Sequence, residues 1–159
     1  MGKKHFLILF FCMFVDQLHK FYMIDVYNII SKGVVEVTSF YNHVMVWNRG
    51  ISFGMFQNHE YSNIFFLFFA SLVILFILYL INNSKDEIEK IFLSVIVGGA
   101  LGNIIDRIRF KAVADFFDFH IAGYHWPAFN IADSFVFIGA FGLIGYTLFF
   151  GSNENEKSK

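Results

Sequence analysis

Charge is scarce in this chain: 16% of its 159 residues are Asp, Glu, Lys or Arg, against roughly 25% in a soluble domain. Neither sign dominates, because 12 Lys and Arg face 13 Asp and Glu, and the lack of a basic excess excludes nucleic acid as a partner. A single cysteine, Cys12, builds neither an internal disulfide framework nor a Cys-based zinc site. A single proline among 24 Phe and 7 Tyr leaves the apolar runs free to continue as helices. No repeat or low-complexity tract interrupts them. What remains is 57% hydrophobic, which places most of the mass in membrane helices and leaves no room for a separate soluble domain of typical size. One membrane domain over 1–159 is expected.

A helix crossing the bilayer needs about 20 mostly apolar residues. The plainest run is Ile64 to Ile81, which carries no charge, and a second runs from Ser134 to about Gly151. A third, Ile91 to Ile105, is too short unless it takes in its charged flanks. The first, about His5 to Ile24, starts after Lys3 and Lys4 and contains Asp16, Gln17, His19 and Lys20. It offers no small-residue cleavage site, so a retained helix is expected. Nor is it a lipoprotein signal, since Phe11 before Cys12 is too large. The predicted spans are about 5–24, 62–82, 89–107 and 129–151.

Between the first two spans, Val34 to Phe40 and His43 to Trp47 are rich in β-branched and aromatic residues and read as short strands, with Asn48-Arg49-Gly50 as a turn. The expected fold is therefore mainly α and integral to the membrane: four transmembrane helices with a small β-sheet, within 33–57, between helices 1 and 2. Trp47, Phe53 and Phe56 are side chains that settle at a membrane surface. The tail 152–159 is expected to be disordered. Lysines and arginines divide six to six between the two sides, so the positive-inside rule does not orient the chain.

Ionisable groups in or at the mouths of spans are functional candidates, and here they are Asp16, Asp106, Arg107, Asp115 and Asp133. Asp115 lies in an apolar stretch, where a lone charge needs a partner. Asp133 opens the fourth helix and shares a face with Asn130. If the segment around Asp115 folds back onto that helix mouth, two carboxylates meet in a partly apolar site and one stays protonated at neutral pH. Such a pair can hydrolyse a peptide bond, one carboxylate activating water and the other polarising the carbonyl. Asp133 alone is equally well read as a helix-terminal carboxylate favoured by the macrodipole.

Other residues suggest structure first. Gly99 and Gly102 allow close helix approach, and Asn103, Asp106 and Arg107 continue that stripe as a hydrogen-bond or ion-pair network. Asp16 and Lys20 are spaced for an i,i+4 ion pair. His43, His59, His120 and His125 fit no metal-binding spacing, and Ser134 has no His or Lys on its helix to activate it. Two further classes stay open beside the protease: an ion pathway, which would place its carboxylates in mid-membrane, and a purely structural membrane subunit.

Four blocks in order carry a resemblance. They are Asp16-Gln17-x-x-Lys20, Asn48-x-Gly50-x-Ser52-Phe53, Gly98-Gly99-Ala100-x-Gly102-Asn103-x-x-Asp106-Arg107 through Val113-x-Asp115-Phe116, and Phe129-Asn130-x-Ala132-Asp133. The chain resembles the bacterial lipoprotein signal peptidases, or signal peptidase II. The resemblance implies a four-helix aspartic endopeptidase of the cytoplasmic membrane, with cytoplasmic termini and an active site facing outward. It implies a diacylglyceryl-modified prolipoprotein as substrate, cut before the lipidated cysteine, with membrane lipids as the other partners; no cofactor or metal is expected, and the oligomeric state is not read from the sequence. It assigns catalysis to Asp115 and Asp133. Asp16, Lys20, Asn48, Gly50, Asn103, Asp106, Arg107 and Asn130 then bind substrate or support the site. One departure is Lys111, where the family usually has Gly; Arg109 makes the site mouth more basic, which suits anionic headgroups.

Overall fold

A computed structural model of the chain describes residues 1–50 and 62–150. Ser52, Phe53 and Phe56, the end of the expected β-rich segment and the tail 152–159 lie outside the described residues. The elements run α1 (Lys3–Phe21), continued by a π-helical stretch Tyr22–Val26, α2 (Ile29–Lys32), β1 (Val35–Thr38), β2 (Tyr41–Asn48), α3 (Ser62–Asn83), α4 (Glu87–Phe110), β3 (Val113–Ile121), β4 (Tyr124–His125) and α5 (Ile131–Phe149). Among the described residues, four helices are long and apolar enough to cross a membrane: Lys3–Val26, Ser62–Asn83, Glu87–Phe110 and Ile131–Phe149. At 1.5 Å per residue, the 22 residues of α3 reach about 33 Å, enough for the hydrocarbon core.

Helix α4 is the hub and packs against α1, α3 and α5. Its glycines explain how. A Cβ on Gly99 would overlap the Ala132 carbonyl of α5, and one on Gly102 would overlap the Asp16 carboxylate of α1, so the two small residues admit two different helices. Away from that junction Leu9, Ile74, Ile77, Ile81, Leu93 and Val97 form a buried apolar cluster. The outer faces are apolar too: Phe65, Phe68, Phe69, Leu75 and Phe76 of α3 are exposed, as a helix surrounded by lipid requires.

The sheet is larger than expected. Its strand order is β1-β2-β3-β4, all antiparallel, so half its strands come from the connection between α4 and α5 rather than from between helices 1 and 2. β3 escaped the sequence reading because its first five residues are buried without alternation except for a half-buried Phe117, and a strand covered on both faces has no period of two. Ala114 and Phe116 of β3 pack with Met23 and Ile29 in a second buried cluster. Two features then place the site. Val46 pairs with Asp115 and Asn48 with Val113, while Phe129 bridges to Phe117, which lays the start of α5 beside β3.

The turn from α4 into β3 is made by Lys111, in the left-handed region at φ 59°. A residue with a Cβ is disfavoured there by about 1–2 kcal/mol, which gives a physical reason for a glycine at this position and marks Lys111 as strained.

Candidate functional site

The polar residues singled out in the sequence converge where α1, α4, β3 and α5 meet. Asn130 is the N-cap of α5, and a capping box closes around it: its side chain accepts from the Asp133 N–H at 3.0 Å, and its own N–H donates to Asp133 Oδ2 at 3.2 Å. That satisfies backbone donors that a helix start leaves open. The same Asn130 points its Nδ2 into the junction, donating to Asp115 Oδ1 at 2.7 Å and to Asn103 Oδ1 at 3.1 Å. Asn103 in turn donates to Asp133 Oδ1 at 2.7 Å. Two amides therefore link the two carboxylates.

Asp115 accepts a second hydrogen bond, from Asn48 Nδ2 at 3.1 Å, and Asn48 is itself oriented by the Gly50 N–H, which donates to its Oδ1 at 3.1 Å. Asp115 is buried. Burial pushes its carboxyl up to about 7, the neighbouring Asp133 charge adds to the rise, and the hydrogen bonds from Asn48 and Asn130 oppose it. Neither Asp115 nor Asp133 has an ion pair among the described residues. Asp133 is half-buried and opens into an apolar cavity of about 460 Å³, lined with it by Trp126, Phe129, Ser134, Phe137 and Ile138.

A second pair of carboxylates lies behind the first. Lys20 Nζ sits 2.9 Å from Asp16 Oδ2 and 2.7 Å from Asp106 Oδ2. The expected Asp16–Lys20 pair is present, but it is buried rather than at a solvated helix end, and Asp106 joins it instead of its neighbour Arg107. Arg107 makes no ion pair with either carboxylate pair among the described residues. Its guanidinium lies 5.1 Å from the Phe66 ring centre, its carbonyl accepts from Asn63, and its Nη1 is buried with no hydrogen-bond partner among the described residues.

Two features were given no site role in the sequence. Gln17 Nε2 donates to Asp16 Oδ2, to the Gly102 carbonyl and to Asp106 Oδ1, at 3.2, 3.1 and 3.1 Å; its place between Asp16 and Lys20 was the available signal. Farther along β3, Asp118 accepts from Asn42 at 3.0 Å and contacts His125 Nδ1 at 2.8 Å. Burial raises the Asp118 carboxyl, but the bonds from His125 and Asn42 outweigh it and hold the group below its ordinary value. No spacing in the sequence links positions 42, 118 and 125, because only the strand register brings them together.

A buried aspartate on a strand, joined through two amides to an aspartate at a helix start, is an arrangement suited to carboxylate-pair hydrolysis. Comparison with known proteins agrees. A family model described as signal peptidase (SPase) II matches residues 8–149. The chain belongs to the signal peptidase II family. Members of that family are aspartic peptidases. A lipoprotein signal peptidase from Pelagibacter ubique (strain HTCC1062) is 37% identical over 157 residues, covering 96% of this chain and 93% of that one. One from Anaplasma phagocytophilum (strain HZ) is 43% identical over 127 residues, 80% of each. A solved bacterial membrane enzyme superposes with a TM-score of 0.79 at 30% identity, covering 94% of this chain and 90% of that one.

Proposed function

We propose that this protein removes signal peptides from prolipoproteins, with Asp115 and Asp133 as the pair that hydrolyses the peptide bond. The observation that carries this assignment is the Asp115–Asn130–Asn103–Asp133 chain, which holds two carboxylates toward one place with amide donors and, among the described residues, no ion pair. An ion pathway would need its carboxylates in mid-span, whereas Asp115 is on a strand beyond the end of α4 and Asp133 is in the first turn of α5.

Their surroundings support a division of roles. Asp133 accepts a backbone N–H at the start of α5, where the helix macrodipole favours negative charge, so it is the base. Asp115, with its carboxyl near 7, is the acid. Asp133 takes a proton from water as the oxygen forms a bond to the scissile carbonyl carbon, and Asp115 gives its proton to the carbonyl oxygen. The tetrahedral intermediate then collapses. The C–N bond breaks, the leaving nitrogen takes the proton held by Asp133, and Asp115 recovers its own from the intermediate's hydroxyl. The products are a signal peptide ending in a carboxylate and a mature chain with a free amino group.

The substrate carries a diacylglyceryl group on the cysteine that follows the cut. Each buried CH₂ contributes roughly 0.8 kcal/mol to membrane anchoring, so two acyl chains fix the cysteine's depth at the helix ends where the pair lies. The apolar cavity beside Asp133 suits such a neighbour. The sheet and the pair face outward from the cytoplasmic membrane, and the termini lie in the cytoplasm. The deciding experiment incubates the purified protein in detergent with a lipidated precursor and with the same precursor unlipidated. Release of signal peptide from the lipidated form alone is expected; equal initial rates would show that the lipid is not read.

A further inference from the structure

Each proposed catalytic aspartate follows a fully buried alanine, Ala114 or Ala132, and each alanine N–H donates to a carboxylate outside the pair. Ala132 donates to Asp16 Oδ1 at 2.9 Å, and Ala114 donates to Asp106 Oδ2 at 3.1 Å. Those two carboxylates, both 0% exposed, are the ones that Lys20 joins. The ammonium's third partner is Asn103 Oδ1 at 3.2 Å, so all three of its donors are used. Because that oxygen accepts from Lys20, the Asn103 amide nitrogen is left to face Asp133.

We propose that Lys20 is a positioning residue for the dyad: one buried cation fixes, through Asp16 and Asp106, the backbone immediately before each catalytic aspartate, and through Asn103 the direction of the amide chain between them. This rests on the reading of Asp115 and Asp133 as the reacting pair. A shift of either alanine amide is transmitted across one Cα–Cα step of about 3.8 Å to the aspartate itself. Loss of the ammonium leaves Asn103 Oδ1 with Asn130 as its one remaining donor, which weakens the hold on the nitrogen that faces Asp133. A buried ion pair is by itself a poor source of stability, since apolar groups of similar volume often serve as well. Alignment of the two carboxylates gives this one a purpose that stability does not, because a misplacement of about 1 Å can lower a rate about 100-fold.

The two supporting carboxylates are not used alike, and this makes the test specific. Asp16 accepts the alanine amide with one oxygen and Lys20 with the other; Asp106 uses Oδ2 for both. An amide has one acceptor oxygen. Asp16→Asn must therefore lose one of these two ties, whereas Asp106→Asn keeps both through the same atom and gives up the bond from Gln17 to Oδ1 instead. The charge removed is identical.

The full-length variants are assayed in detergent against a diacylglyceryl-modified precursor, with melting curves to count folded molecules. In Asp16→Asn we expect kcat per folded molecule to fall about 100-fold, with KM within about threefold and an altered pH profile of kcat. Asp106→Asn should fall less than about tenfold with the wild-type profile. Lys20→Met should match or exceed the Asp16→Asn loss; if it does not fold, the asparagine pair decides. Equal losses in the two asparagine variants, or lowered melting with kcat and pH profile unchanged, would overturn the clamp. If Asp16→Asn does not fold while Asp106→Asn does with wild-type kcat, the tie at Asp16 is structural and the proposal also falls. Asp115→Asn is run in parallel: activity there would mean that the dyad reading has failed, a result separate from failure of the clamp.

Discussion

Four aspartates crowd one end of this molecule, yet they form two regions with opposite electrostatics. Around Lys20, Asp16 and Asp106 share one cation and each accepts a backbone amide. Beside them, on β3 and α5, Asp115 and Asp133 receive hydrogen bonds from neutral amides alone among the described residues. The first region is closed off, with both carboxylates 0% exposed; the second opens through Asp133 into an apolar cavity. The difference separates work that residue type alone does not. A carboxylate neutralised by a fixed ammonium has little tendency to exchange protons, whereas two close carboxylates without a cation push their proton affinities apart. On the proposed reading, the paired region holds geometry and the unpaired one does chemistry.

The strongest way to break this contrast is to substitute within the unpaired region. Asp115→Asn and Asp133→Asn should each reduce cleavage of a lipidated precursor by more than about 1,000-fold, since neither amide can serve as base or proton donor at neutral pH. Both variants should still purify as folded protein. Near-normal turnover by either one would return its aspartate to the structural class with Asp16.

Truncation in the paired region should act on stability as well as on alignment. Asp106→Ala leaves the buried Lys20 with one carboxylate partner and the Ala114 amide with no acceptor. Breaking a buried pair in this way costs about 3–5 kcal/mol, read as a large fall in melting temperature or in folded yield. A variant with unchanged melting would show that the Lys20 region is not sealed from water as described.

The sequence showed these regions unevenly. The α3 span was legible from its uncharged run, and the candidacy of Asp115 and Asp133 from the cost of placing charge in apolar segments. The Asp16–Lys20 pair was legible because i,i+4 contacts are local. The link from Lys20 to Asp106 was not, since it crosses from α1 to α4 and depends on Gly102 admitting the Asp16 side chain. Strand β3 was missed because Val113 to Phe116 are buried on both faces. One signal was available and not used: the dipeptide Ala-Asp occurs at 114–115 and again at 132–133, and both alanines have the same task. Orientation of the chain is outside all of these signals. With Cys12→Ser as background, a single cysteine at Glu36 should react with an impermeant thiol reagent in intact spheroplasts and one at Asp86 should not; the reverse pattern would invert the proposed topology.

The unpaired region should also leave its mark on stability against pH. The Asp115 carboxyl is near 7 in the fold, against about 3.9 in an unfolded chain, so the folded state holds the proton more tightly. The resulting stabilisation is complete below about pH 4 and is lost as pH rises through about 7, levelling off above it. Between pH 5 and pH 8 that loss amounts to about 2.5 kcal/mol. Asp115→Asn has no such proton, so its stability should change less over the same interval by about that amount. Parallel pH dependence in the two proteins would mean that Asp115 is already ionised in the fold and resembles the paired aspartates.

The smallest effect belongs to Lys111, the hinge between the two regions, which joins the helix bearing Asp106 to the strand bearing Asp115. Its left-handed backbone at φ 59° disfavours any residue with a Cβ by about 1–2 kcal/mol. Lys111→Gly removes that strain but gives the unfolded chain more freedom, which takes back about 0.4–1 kcal/mol. The net change should therefore be a stabilisation of about 0.5–1 kcal/mol, visible as a small rise in melting temperature. The Lys111 side chain is exposed and has no part in either carboxylate pair, so the substitution relieves the hinge while leaving both networks in place. A fall in melting temperature would show that lysine makes a compensating contact at this turn, one strong enough to outweigh the backbone strain.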